Sequence, residues 1–591
     1  EFFKLVTMTG AETSTNVINA PTQAGDCGGA YFLMNSTITT KFVGLHHAGN
    51  YTRNVAFSTI VSLDLFNSLK KPIMLNANRV QSLESFGFDF DGRGALHVPP
   101  ITMAPDDDDL FSVFVDKAST GSNVPDGEHV RSYGKYLLPH RPEGRGSTQY
   151  KNRSPFYGCF DIVRHPPPFY ATDNRIKDEL PRNAKGEPSL TLRANNAMGM
   201  RAPPLNQEVL NECVEKMSEW FAIQMADKSI GIYPGEDVIN LGMNGRSSNK
   251  FVRHMRVGKS SGAPHTALRC PRKSDYVELN ARGNYTFKNT PDGVRLRDFV
   301  YDKLEKSGRL VRTTSFIGCS LKDQPIAEKH IKAGKVRVFY PVPIENFLIG
   351  RGLFGSFWEA MSSEPIKFRN SIGINELSMD WKNLYEQLKV KGNVVDLDFK
   401  EWDKHLPVEL PVGAYMLAIL AIEKATDDGF KNHRIVHMWE MIRSIVIDGD
   451  TAFVTDHGNK SGSPDTTHIN SLAGLLSLFY IYSLQVNYVD LEEFLEMVYS
   501  SHNGDDIAIA VRDEVSHLFN YETLTKAFAD MGMIATPGMK GDFKEGQLFT
   551  TLQEMTFLKR QFVPFEDMVF CPIDEASVYS RFGWTRNTLS D

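Results

Sequence analysis

Two groups of residues in this 591-residue sequence have the types and spacing to do chemistry. The first is a set of carboxylates. Side-chain alternation along Val394 to Phe399 puts Asp396 and Asp398 on one strand face and Val395, Leu397 and Phe399 on the other. Asp403 follows five residues after Asp398, and about a hundred residues later Glu496 to His502 and Ile507 to Val511 read as strands around Asn503-Gly504-Asp505-Asp506, where Asn-Gly signals a tight hairpin. With Asp398 opposite that hairpin, each carboxylate pair repels by about 4 kcal/mol at 4 Å and an effective dielectric near 20, so a cation belongs between them. Hard oxygen ligands point to Mg²⁺. Asp396 is expected to be a bystander facing solvent. The second group surrounds Cys27 in Pro21-Thr22-Gln23-Ala24-Gly25-Asp26-Cys27-Gly28-Gly29-Ala30. Its glycines allow successive N–H groups to aim at one point, as an oxyanion hole requires. A thiol of ordinary pKa is only a few per cent thiolate at neutral pH and needs a paired base, yet only 26 residues precede Cys27.

These groups need a large scaffold, and the composition provides one. The length is about four times that of a typical domain, which predicts several domains or one multi-lobed enzyme. Hydrophobic residues make up 41% and charged residues 23%, near globular averages; the longest apolar run, Leu472 to Leu484, is shorter than a membrane span. Six cysteines without a CxxC pair argue against a disulfide framework or a zinc ribbon and for a reducing compartment. The N-terminus lacks the pattern of a signal or transit peptide and reads as the inside of a longer chain. Net charge is −7, but Gly245 to Tyr340 carries 21 Lys/Arg against 8 Asp/Glu, a basic lobe suited to a polyanion.

Along the chain, residues 1–76 read as all-β, with runs at Lys41 to Leu45 and Tyr51 to Val61. Residues 77–145, rich in Gly, Pro and Asp and including the acidic run Asp106 to Asp109, read as a poorly ordered linker. From 146 the pattern is α+β, with a helix over Leu377 to Lys389 and a strand pair, Ser444 to Ile447 and Thr451 to Thr455, across an Asp-Gly turn.

The Cys27 segment, with Gly44-Leu45-His46-His47-Ala48-Gly49-Asn50 nineteen residues later, resembles the C-terminal barrel of picornavirus-like chymotrypsin-fold cysteine proteases. That resemblance makes Cys27 the nucleophile, gives the Asp26 and Cys27 amides to the oxyanion hole, and sets Thr22 and His46 in a pocket for a Gln side chain. The family's base and acid lie in the preceding barrel, so this is expected to be half a protease, without turnover by itself. The carboxylate segments resemble motifs A and C of viral RNA-dependent RNA polymerases, and the rest of the series follows in order. Ser461-Gly462-Ser463-Pro464-Asp465-Thr466-Thr467-His468-Ile469-Asn470-Ser471 is similar to motif B, Lys322-Asp323 through Lys335-Val336-Arg337 to motif F, and Ser260-Ser261-Gly262-Ala263-Pro264 to motif G. Thr536-Pro537-Gly538-Met539-Lys540 is similar to motif D, and Phe557-Leu558-Lys559-Arg560 to motif E.

That second resemblance implies a right-hand polymerase: an N-terminal extension sharing 77–145 with the linker, fingers and palm over 146–560, then the start of a truncated thumb over 561–591. Asp398 and Asp505, supported by Asp506, would hold two Mg²⁺ ions, with Mn²⁺ possible in their place, and Lys540 would protonate the leaving pyrophosphate. Lys322, Lys335 and Arg337 would bind the triphosphate, while Asp403, Ser461 and Asn470 would read the ribose. Ser261 and Gly262 would line the template path, and Lys559 and Arg560 would grip the primer. Implied partners are template and primer RNA, ribonucleoside triphosphates, a small genome-linked protein primer and the viral polyprotein, at membrane-associated replication complexes in the host cytoplasm. Asn503 departs from the family's usual Tyr. Gln81-Ser82 is the expected processing site, with Glu84-Ser85 and Glu128-His129 as weaker options. A reverse transcriptase and a non-catalytic RNA-binding precursor remain as alternatives.

Overall fold

The structure is a computed structural model that describes residues 2–6, 12–19, 30–32, 42–50, 55–59, 94–99, 101–104, 109–127, 129–140, 152–159, 182–187, 189–200, 202–246, 253–324, 336–455, 457–538, 546–573 and 575–585. The chain divides into two compact units, Glu1–Asn76 and Ala77–Asp591. In the first, five antiparallel strands form one sheet in the order Phe2–Val6, Glu12–Asn19, Val55–Thr59, Phe42–Asn50 and Ala30–Phe32. Thr22 and Cys27 lie outside the described residues. Of His46 only the strand backbone is described, paired with Ser58 beside a register shift.

In the second unit, the segment expected to be a linker is structural over much of its length. Strands Val115–Asp116 and Val130–Tyr136 complete a five-stranded sheet with Thr451–Thr455, Ser444–Asp448 and Phe316–Gly318. Leu96, Phe111 and Tyr136 are buried, and Asp109 leaves the acidic run to accept the Thr314 N–H at 2.6 Å. The turn-forming composition thus marks short strands and tight loops held by long-range partners.

The sheet that carries the carboxylates has four strands: β1 (Asn393–Phe399), β2 (Val498–Asn503), β3 (Asp506–Val511) and β4 (Ala535–Pro537), in the order β2-β3-β1-β4. Three helices brace it. Helix α1 (Met379–Lys391) starts where the Ser378 hydroxyl accepts the Asp380 N–H and stops at Gly392, whose φ of 100° suits glycine. It packs Trp381, Leu384 and Leu388 against Val394, Tyr499, Ala508 and Ala510. Helix α2 (Thr466–Val486) and helix α3 (Tyr521–Asp530) supply apolar residues to the larger core, which takes Val395, Leu397, Ile507 and Ile509 from β1 and β3. Length and hydropathy alone would let α2 cross a bilayer, but 83% of its apolar window is buried inside the protein. The sequence run at Leu472 to Leu484 is therefore the middle of a longer core helix.

Candidate active site

Antiparallel register assembles the carboxylates. β1 pairs with β3 from Asn393↔Val511 to Leu397↔Ile507, with Asp396 opposite Ala508. The ladder ends there, and Asp398 and Asp506 are the next residues of the two strands, by alternation on the face that Asp396 shares. β2 and β3 pair down to Asn503↔Asp506, so the turn residues are Gly504 and Asp505. Positive φ falls on Gly504 alone, at 68°, the pattern of a type II′ turn rather than one centred on Asn-Gly. Asp505 is exposed at the tip, while Asp506 opens β3. Carboxylates at neighbouring positions on adjacent strands repel. Among the described residues no three His, Cys, Asp or Glu side chains form a closed metal cage. An open set of one or two carboxylates suits Mg²⁺, which completes its shell with water and phosphate oxygens.

Asp396 does not face solvent. It is 1% exposed, accepts hydrogen bonds from the Tyr521 hydroxyl and the Thr556 N–H, and receives the Gly538 N–H on its carbonyl. Burial lifts its carboxyl above the usual range, against those donors. Alternation correctly put it on the face of Asp398, but could not show that α3 and the Thr556 segment cover that face.

Asp403 is where the remaining parts meet. Burial raises its carboxyl, with Glu401 and Asp505 adding to the effect and Lys404 and Arg337 opposing it, so the hairpin tip and Arg337 both act on it electrostatically. Arg337 is exposed beside Lys322, whose N–H it accepts at 2.9 Å, at the end of the paired strands Ser320–Leu321 and Val338–Phe339. Ser461 accepts the Tyr340 N–H at 2.6 Å, and Asn470, near the start of α2, accepts from Asn459 Nδ2 at 2.9 Å. Lys335 and Lys540 lie outside the described residues.

The template and primer assignments need correction. Ser261 is 0% exposed and its hydroxyl is spent on the Cys270 carbonyl at 2.5 Å; Gly262 is also buried, while Lys259 and Ser260 are exposed beside them. Lys559 projects from a turn, but Arg560 is turned inward, donating to the Cys571 carbonyl at 3.0 Å with Glu376 at 3.7 Å.

Several supporting residues had no assigned role in the sequence. The Ser471 hydroxyl accepts the Gly504 N–H at 2.9 Å and so ties the hairpin to α2. His502 is fully buried beneath the turn, and a Cβ on Gly474 of α2 would lie 2.7 Å from its Nδ1. Burial pushes the His502 imidazole down to about 3, so it is neutral. Lys460 is buried too, donating to the carbonyls of Ile442, Thr455 and His457 at 2.5, 3.1 and 3.2 Å.

An antiparallel palm sheet with paired acids, a glycine-bearing loop opening a core helix and a basic strand pair define a template-directed nucleotide polymerase. The profile of the family described as viral RNA-dependent RNA polymerase matches residues 179–591. The replication polyprotein of Nora virus is 30% identical over 475 residues, 78% of this chain and 22% of the polyprotein. The replicase polyprotein of acute bee paralysis virus is 25% identical, covering 92% of the chain and 27% of the polyprotein. The chain thus spans about a quarter of the length of these relatives. The Sicinivirus 3Dpol RNA-dependent RNA polymerase shares the fold, with a TM-score of 0.59 at 20% identity over 76% of this chain and 86% of that one. The chain belongs to the viral RNA-dependent RNA polymerase family, within the picorna-like replicase polyproteins.

Proposed function

We propose that nucleotide addition proceeds by two-metal phosphoryl transfer, with Asp398 and Asp505 as the ligands and Asp506 in support. The reading is supported by the β1–β3 register, whose last pair, Leu397↔Ile507, leaves Asp398 and Asp506 as the next residues of the two strands, with Asp505 at the adjoining turn. Two bound Mg²⁺ ions supply activation of the primer 3′-hydroxyl and neutralisation of the leaving pyrophosphate. The chain supplies the rest. Arg337, Lys322 and Lys335 hold the triphosphate, Arg by bidentate contacts. Asp403 accepts a hydrogen bond from the ribose 2′-hydroxyl while Asn470 and Ser461 fix the sugar's surroundings, which favours ribonucleotides and disfavours the reverse-transcriptase alternative. Lys540 delivers a proton to the pyrophosphate, and Lys559 meets the primer backbone.

The first unit acts as the C-terminal part of a cysteine protease, with Cys27 as nucleophile and Thr22 and His46 at the Gln pocket. A small genome-linked protein serves as primer, and synthesis takes place at membrane-bound complexes in the host cytoplasm. Primer extension on poly(A) with oligo(U) tests the polymerase site: Asp398→Ala and Asp505→Ala should each abolish Mg²⁺-dependent UMP incorporation while RNA binding persists, because the basic strands hold phosphate independently. Near-normal synthesis by either variant rejects the assignment.

A further inference from the structure

We infer that Asn459 is a specificity-determining residue for sugar choice, acting by fixing which end of the Asn470 amide faces the nucleotide. This rests on the proposed reading of Asp403 and Asn470 as the ribose sensor.

An asparagine amide has a donor end and an acceptor end of nearly equal shape, and only its hydrogen bonds decide its orientation. At Asn470 the decision is visible. Asn459 Nδ2 donates to Asn470 Oδ1 at 2.9 Å, which commits the oxygen to the interior, and Asn470 Nδ2 has no partner among the described residues. Both side chains are nearly closed off, Asn459 at 5% exposure and Asn470 at 7%. The Asn459 main-chain N–H also donates to the Asp403 carbonyl at 2.8 Å, so one residue is bonded to both halves of the sensor. Gly458 makes that approach possible. Its φ is 70°, and a Cβ there would lie 2.5 Å from the Asp403 carbonyl oxygen and 3.2 Å from Lys404 Cα. The Asp403 carboxylate likewise accepts no hydrogen bond from a described residue. The sensor therefore presents one donor, Asn470 Nδ2, and one acceptor, Asp403. A ribose 2′-hydroxyl complements both, since it can accept from the first and donate to the second. A deoxyribose complements neither. With the Asn470 amide reversed, two acceptors would face the hydroxyl and only one could be satisfied.

Asn459→Asp and Asn459→Leu test this. The aspartate has no donor for Asn470 Oδ1 and draws Nδ2 toward itself, reversing the amide; the leucine is close in size and leaves the amide free to take either orientation. Steady-state incorporation of UTP and dTTP on poly(A) should show kcat/KM for UTP falling about ten- to a hundredfold in Asn459→Asp and less in Asn459→Leu, with dTTP changed by less than about threefold in both. A parallel loss for both nucleotides, in whichever variant folds, would mean that Asn459 only supports the backbone and would overturn the inference. So would unchanged selectivity in both. Asn470→Ala run alongside separates the two levels. If it narrows selectivity while the Asn459 variants do not, the sensor reading stands and the role of Asn459 falls. If Asn470→Ala itself leaves selectivity unchanged, the sensor reading fails and this inference with it.

Discussion

Asp396 changes the picture most at the scale of a single residue, because a carboxylate two positions from a proposed ligand belongs to the framework. It joins β1 to α3 through Tyr521, to the Thr556 main chain, and to Gly538 through its own carbonyl. Asp396→Ala leaves a buried hydroxyl and a buried N–H unpaired, so unfolding in urea should show a loss of roughly 2–6 kcal/mol, at about 1–3 per unpaired group. A shift below about 0.5 kcal/mol would mean that the site relaxes freely. His468 makes a second prediction. It is half-buried and stacked on Trp358, with ring centroids 5.0 Å apart, and desolvation pushes its imidazole down to about 4. In the unfolded chain the same group titrates near 6.5, so between about 4 and 6.5 the unfolded state binds more protons, and stability falls as pH falls through that window. His468→Gln should flatten the decline in melting temperature from pH 6.5 to 4; equal slopes in the two proteins would reject His468 as a source of acid sensitivity.

Hairpin turns show at the scale of elements what sequence could and could not settle. Asp-Gly at Asp448 and Asn-Gly at Asn503 each mark a turn, yet each turn is displaced by one residue from the dipeptide. Asp448 pairs with Thr451 and Asn503 with Asp506, leaving Gly449-Asp450 and Gly504-Asp505 at the tips, with Gly449 at φ 62° and Gly504 at 68°. A dipeptide preference marks the place of a turn, whereas register follows from which strand residues must face the core. Helix α1 begins two residues later than its apolar pattern predicts because Ser378 caps it. The Phe557–Arg560 turn carries a testable cost. Leu558 at φ 54° and Lys559 at φ 58° occupy the left-handed region without glycine. Lys559→Gly should raise stability by about 1 kcal/mol while lowering RNA affinity and reducing the salt dependence of binding by about one phosphate contact. Unchanged binding would remove Lys559 from the primer path.

Composition misleads most at the scale of the whole molecule. The Gly, Pro and Asp content of 77–145 reads as a spacer, but Val130–Tyr136 lies inside the five-stranded sheet, next to Thr451–Thr455. Tertiary pairing overrides local propensity there, and sequence periodicity cannot register a seven-residue strand whose partner lies over 300 positions away. The strand at Val394 to Phe399 and the hairpin at Asn503 were legible because each is a short local pattern; the buried state of Ser261 and the inward turn of Arg560 were not, because distant segments decide them. Processing at Glu128-His129 would cut immediately before that strand, where His129 is buried. N-terminal sequencing of the mature polymerase should therefore not find His129 at its start. Chains truncated to begin after residue 140 should lose cooperative unfolding, and retention of a sharp transition would show that the sheet is dispensable.

The fit of His502 against Gly474 also constrains the order in which these two positions can change over generations. A methyl group at 474 meets the imidazole at 2.7 Å, so Gly474→Ala arising first is obstructed. His502 can be replaced by a smaller residue first, at the cost of a cavity, and that cavity then admits the methyl group. The route between the two states is one-way: the fold tolerates a loss of volume under the turn before a gain of volume on the helix, and a lineage that has crossed cannot restore the histidine until the glycine returns.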